Sequence, residues 1–76
     1  MSKLPIVNAN TIIKFIEKNG FEFSRQKGSH KFFKHKDGRT ATIPYHKRED
    51  IPRGLLSKIL RDTEIDKDEF IKWLSK

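Results

Sequence analysis

The order of hydrophobic periods along the 76 residues predicts an α+β fold. Its order is α-β-β-β-α followed by a short helix, with a three-stranded antiparallel sheet covered on one face by helices. Three observations carry this reading. A helical apolar stripe precedes Gly20, a period of two with an Asp-Gly turn follows it, and two further helical stripes follow Pro52.

In the first segment, residues 9–19, Ala9, Ile12, Ile13 and Ile16 recur at the spacing that gathers them on one helical face. Asn8 suits the N-cap because its side chain accepts from free first-turn amides, and Gly20 suits the stop because it tolerates a left-handed turn. Phe21 and Phe23 then alternate with Glu22 and Ser24 as a half-buried strand requires, until Lys27-Gly28-Ser29 breaks the pattern. A second strand spans residues 30–35. Asp37-Gly38 reads as a tight hairpin in which both central residues take positive φ. The third strand, residues 40–44, puts Ala41 and Ile43 on one face and ends at Pro44, which has no N–H for a ladder. Phe32 and Phe33 are adjacent and must face opposite ways unless a bulge intervenes, so the face shared by His30 stays open.

The second helix begins near Pro52 and carries Leu55, Leu56, Ile59 and Leu60 on one stripe. The short third helix is signalled by Asp66 and Glu69 at capping-box spacing and by Ile65 and Phe70 at staple positions. Ile71 and Leu74 continue its apolar face, with Trp73 at the edge.

This length suits one domain, residues 1–76, whose small core leaves modest stability. The absence of cysteine excludes disulfides and thiolate metal sites and fits a reducing compartment. Residues 1–5 lack the apolar run of a signal peptide, and no stretch approaches the ~18 apolar residues of a membrane span, so a soluble cytoplasmic protein is expected. Six phenylalanines, one tryptophan and one tyrosine supply bulk that a disordered basic tail lacks.

Charge is concentrated. Residues 25–48 contain eight cations against the single acid Asp37, a net +7 that equals the charge of the whole chain. The remainder balances to zero, which points to one surface built for a polyanion. The same stretch holds all three histidines, and Gly28-Ser29-His30 sits at its centre.

The element order resembles that of the HicA family of bacterial toxins. The likeness rests on Gly20-Phe21, Arg25-Gln26-Lys27-Gly28-Ser29-His30, the Asp37-Gly38 hairpin, Ile43-Pro44-Tyr45-His46 and Gly54-Leu55-Leu56-Ser57-Lys58-Ile59-Leu60, and spans about residues 8–65. The resemblance implies a double-stranded-RNA-binding-domain-like fold and ribosome-independent cleavage of mRNA with a catalytic histidine at the position of His30. It further implies neutralisation by a HicB-type antitoxin, with the free chain expected as a monomer and the inhibited form as a hetero-oligomer.

The chemistry of RNA cleavage suits such a role for His30. RNA carries its own nucleophile in the 2′-OH, so cleavage needs one proton removed, one delivered and the phosphorane charge stabilised. Imidazole, with an ordinary pKa of about 6.5, suits either proton transfer, and this route requires no metal or other cofactor. Gly28 would admit a phosphate close to the loop backbone, Arg25, Lys27 and Lys31 would hold it, and Ser29 would orient His30 or donate to phosphate.

Blander readings stand beside these. A lone histidine at a strand start is ordinarily a surface residue, and His35 beside the hairpin reads as a solvated loop residue. His46 is either a second proton carrier that also touches RNA or a polar group pinning the loop after the third strand. The three histidines do not form the paired spacing of a helical or finger-type metal site. Tyr45, Phe32 and Phe33 are candidates to stack on unpaired bases, with core packing the competing role. A non-catalytic RNA-binding module of the same fold is the alternative function. A basic face that only docks an acidic protein would leave the Gly28-Ser29-His30 loop without purpose.

Overall fold

The computed structural model describes residues 4–46 and 49–75, so Lys47 and Arg48 of the basic segment lie outside the described residues. The elements run β1 (Val7–Asn8), α1 (Ala9–Lys18), β2 (Phe21–Lys27), β3 (His30–His35), β4 (Thr40–Pro44), β5 (Asp50–Ile51), α2 (Arg53–Asp62) and α3 (Lys67–Leu74). Strands β2, β3 and β4 form an antiparallel sheet in that order, and the α+β architecture with three helices matches the sequence expectation. The pairing of β1 with β5, which sets Val7 opposite Ile51, had no signal in the sequence because two-residue strands have no period to detect.

Local rules fix the helix ends. The Asn8 side chain accepts from the Thr11 N–H at 3.0 Å, and the chain leaves α1 through Gly20 at φ +95°. Gly20 is doubly required there, because a Cβ would lie 2.7 Å from Nε2 of His35. Pro52 is the N-cap of α2 rather than its first residue, and the Asp66 side chain caps α3 by accepting from the Asp68 N–H. At the far end of α2 the Ile65 N–H reaches the Leu60 carbonyl and the Glu64 N–H reaches that of Arg61, a Schellman arrangement. Its left-handed position is held by Glu64 at φ 57°, where glycine is the usual occupant.

The core lies between the helices and one face of the sheet. Ile12, Phe15 and Ile16 from α1 and Leu56, Ile59 and Leu60 from α2 meet Phe21, Phe33, Ala41 and Ile43 from the strands. Helix α3 closes onto α1 through Phe70 and Trp73, whose rings lie 4.9 and 5.3 Å from that of Phe15. Phe15 was not assigned to the core from sequence.

Three expectations are corrected. Phe23 does not share the burial of Phe21: Phe21 is 2% exposed and Phe23 is 52% exposed, because Phe23 lies past the cover of the helices with one ring edge on Phe33. The Asp37-Gly38 turn is not a two-residue hairpin with two positive φ values. His35 and Arg39 flank a three-residue loop in which only Gly38 has positive φ, and the Asp37 carboxylate accepts from the Arg39 N–H across it. His35 is not a solvated loop residue. It ends β3, half-buried, with its ring edge-on to Phe21 at 5.1 Å and against Gly20.

Arg39 joins this hairpin to α2. It donates through Nε to Asp37 at 2.8 Å and through Nη1 to the Thr63 carbonyl at the helix C-terminus, and its guanidinium lies 5.2 Å from the Phe21 ring centre. The Arg39 backbone N–H, then its guanidinium, then His35 hold the Asp37 carboxyl below its ordinary 3.8.

Glu64→Gly should stabilise the fold by about 0.5–1 kcal/mol by relieving the left-handed side chain; an unchanged midpoint in urea denaturation would show that no strain resides there. Because Asp37 has a lower folded than unfolded pKa, its contribution is complete above about pH 4 and is lost as the pH falls through the folded value. The stability gap between wild type and Asp37→Asn should therefore be widest at neutral pH and close in acid. Urea titrations at a series of pH values check this, and a gap that grows in acid refutes it.

Candidate functional site

Residues directly opposite one another in an antiparallel ladder share a face. On β3, His30, Phe32 and Lys34 therefore project away from the helices, while Phe33 is buried beneath them. Across from them on β4 stand Pro44, Thr42 and Thr40, and on β2 stand Lys27, Arg25 and Glu22.

The placement of Arg25 and Lys27 depends on a register shift between Phe23 and Arg25. Strict alternation from Phe21 would have sent both cations to the helical side. One extra residue at Ser24 reverses the parity, so Phe23 pairs with Phe33 on the helical side and Arg25 pairs with Phe32 on the open one. Beyond the bulge the open face carries Arg25, Lys27 and His30 together, with Lys34 further along and Glu22 its only acid among the described sheet residues.

His30 is exposed at the first position of β3, opposite Lys27, across a two-residue loop of Gly28 and Ser29. Gly28 has φ +59° and Ser29 does not share the left-handed region, the pattern of a type II′ hairpin whose twist suits the flanking strands. No atom lies within 4 Å of a Cβ built on Gly28, so the loop surface is open to a ligand. The loop is nonetheless anchored. Gln26 Nε2 donates to the Gly28 carbonyl at 2.9 Å, and the Tyr45 N–H donates to the Ser29 carbonyl, prolonging the β3-β4 ladder past Pro44.

The other residues singled out from sequence fall elsewhere. Lys31 is on the helical side of β3, and its ammonium rests 3.9 Å from the Tyr45 ring centre. His46 is exposed just beyond β4 in a cleft of about 260 Å³ with Pro44, Glu49, Asp50 and Leu55. Since Pro44 is the cross-strand partner of His30, that cleft opens at the His30 end of the sheet. Arg39 is committed to Asp37 and Thr63 at the other end, where the larger hollow, about 570 Å³, is lined by Asp37, Asp62 and Glu64 and repels anions. Among the described residues no cluster of three His, Asp or Glu side chains converges on a common point.

Sequence reasoning missed the pairing of Arg25 with Phe32, whose ring centre lies 4.7 Å from the guanidinium carbon. A signal for it existed. A two-residue turn at Gly28-Ser29 pairs Arg25 with Phe32, but an unbroken ladder would then set Phe23 against Lys34, and only a bulge restores Phe23 to Phe33.

The arrangement offers an exposed imidazole, two adjacent cations that can hold a phosphate, and an open loop backbone beside them. The family model described as HicA toxin of bacterial toxin-antitoxin matches residues 9–65, well over half of the chain. No curated protein matches it.

Proposed function

This chain belongs to the HicA toxin family of bacterial toxin-antitoxin systems, and we propose that it is an endoribonuclease that cleaves mRNA, independently of the ribosome and of metal, with His30 as its proton-transfer residue. The single observation that carries this reading is the exposed His30 beside Lys27 and Arg25 on one sheet face. In the proposed reaction the ribose 2′-oxygen attacks the adjacent phosphorus, the bond to the 5′-oxygen breaks, and the products are a 2′,3′-cyclic phosphate and a 5′-hydroxyl. His30 either takes the 2′-OH proton or delivers one to the departing 5′-oxygen. Arg25 and Lys27 bind the scissile phosphate and stabilise charge developing on its oxygens. Gly28 and Ser29 present the loop backbone, and in the complex the Ser29 hydroxyl donates to phosphate. His46, at the same end of the sheet, is the candidate partner in proton transfer. Lys31 contributes to the field around the loop from the other side of the strand. An mRNA substrate would put the chain at work in the cytoplasm. No described helix is long and apolar enough to cross a membrane.

A family defined by toxin-antitoxin pairing implies an antitoxin, and a HicB-type protein presenting acidic groups to the open face would occlude His30 and neutralise the cations at once. The monomeric toxin would then be held in a hetero-oligomer.

His30→Ala should lower the cleavage rate of an unstructured mRNA fragment in EDTA by on the order of 10²–10⁴ while leaving RNA affinity and its steep fall with salt intact. Equal cleavage by both proteins removes His30 from the chemistry, and wild type that binds without cleaving leaves the RNA-binding module as the function. Amide hydrogen exchange of residues 25–34 should slow on addition of the antitoxin. Unchanged exchange there, with activity lost, would mean inhibition by a conformational route.

A further inference from the structure

We propose that the open sheet face is a platform for unpaired RNA, on which the Arg25-Phe32 pair stacks the base of a nucleotide neighbouring the phosphate at His30; this rests on the ribonuclease reading above. Phe32 has no role in the core. It projects to the side of the sheet that the helices leave bare, half-exposed among polar and charged neighbours. An aromatic ring held out of the core on a cationic face has a ready use, because the faces of unpaired bases stack on aromatic rings and on guanidinium planes.

Among the described aromatic residues, Phe32 alone shares the face of His30. Phe21 and Phe33 are buried under the helices, Tyr45 is covered by the Lys31 ammonium, and Phe23 is exposed on the helical side. Phe32 and His30 are two positions apart on β3, which in a strand is about 6.6 Å. A base at Phe32 and a phosphate at His30 can therefore belong to adjoining nucleotides. Arg25, exposed and 4.7 Å from the Phe32 ring centre, extends the stack with a planar cation and faces the same backbone. Thr42, opposite Phe32, adds a hydroxyl at the rim.

This geometry selects against duplex RNA. The bases of an A-form helix are stacked on each other and its major groove is deep and narrow, so a flat sheet face reaches only the backbone of a duplex. The face fits single strands, in which a base can turn outward onto Phe32.

The test uses the purified chain with a fluorescent, fully 2′-O-methylated single-stranded oligonucleotide that binds but cannot be cleaved, competed by unlabelled single-stranded or duplex RNA of equal length. Phe32→Ala should weaken binding about tenfold and raise KM for an unstructured substrate far more than it lowers kcat. Phe32→Leu, which keeps the apolar contact without an aromatic plane, should behave like Phe32→Ala and covers the case in which alanine unfolds the sheet. Phe32→Trp should restore affinity. Arg25→Lys, which keeps the charge and loses the plane, should weaken binding several-fold. Duplex competitor should displace the probe far less well than single strand. Affinity unchanged in Phe32→Leu, or equal competition by duplex, overturns the platform. A wild-type chain that binds the probe through Phe32 but cleaves no RNA would instead overturn the ribonuclease reading and leave the platform standing.

Discussion

A two-residue turn at Gly28-Ser29 and a common apolar side for Phe21, Phe23 and Phe33 cannot both hold in a regular ladder. The turn pairs Lys27 with His30 and Arg25 with Phe32, which in an unbroken register would carry Phe23 to Lys34. One residue inserted at Ser24 satisfies both demands. Everything at the site descends from that reconciliation. The phenylalanines stay on the side of the helices, and the next two cations of the strand emerge beside the histidine.

The basic segment divides accordingly. Its charge is not one uniform patch, since Arg39 ties the Asp37 turn to the end of α2 while Lys31 lies over Tyr45. Arg25, Lys27 and Lys34 remain on the open face with His30. A phosphate approaching this face meets cations that are not held in ion pairs among the described residues, whose ion pairs involve Asp37 and Asp62. Salt screens the attraction of exposed charges beyond ~8–10 Å, so the field of these cations is strongest close to the sheet face. The sheet is two-sided: one face makes the core with the helices, and the other stays open and carries these cations with His30.

The Gly28-Ser29 loop is anchored locally. Gly28 supplies the positive φ that a tight turn needs, and the bonds from Gln26 and from the Tyr45 N–H fix the loop carbonyls without occupying the side of the strand that bears His30. The far end of the sheet is held differently, by Arg39 and by His35 seated on Gly20. The histidine at that end packs and the one at the near end is free, although both occupy terminal positions of the same strand.

The sequence by itself determined the helices, the three main strands, the Asn8 and Asp66 caps, most of the core stripe and the Gly28-Ser29 loop that precedes His30. These follow from period, turn chemistry and cap preference, all of which act over a few residues. It could not assign the face of His30, the exposure of Phe23, the β1-β5 pair or the separate fates of Lys31, Arg39 and His35. Each of these depends on register or on where a helix stops covering the sheet, and a side chain's environment in a strand reverses with a shift of one residue. Tertiary structure decided them because the bulge at Ser24 and the footprint of α1 and α2 on the sheet are fixed by packing between segments distant along the chain.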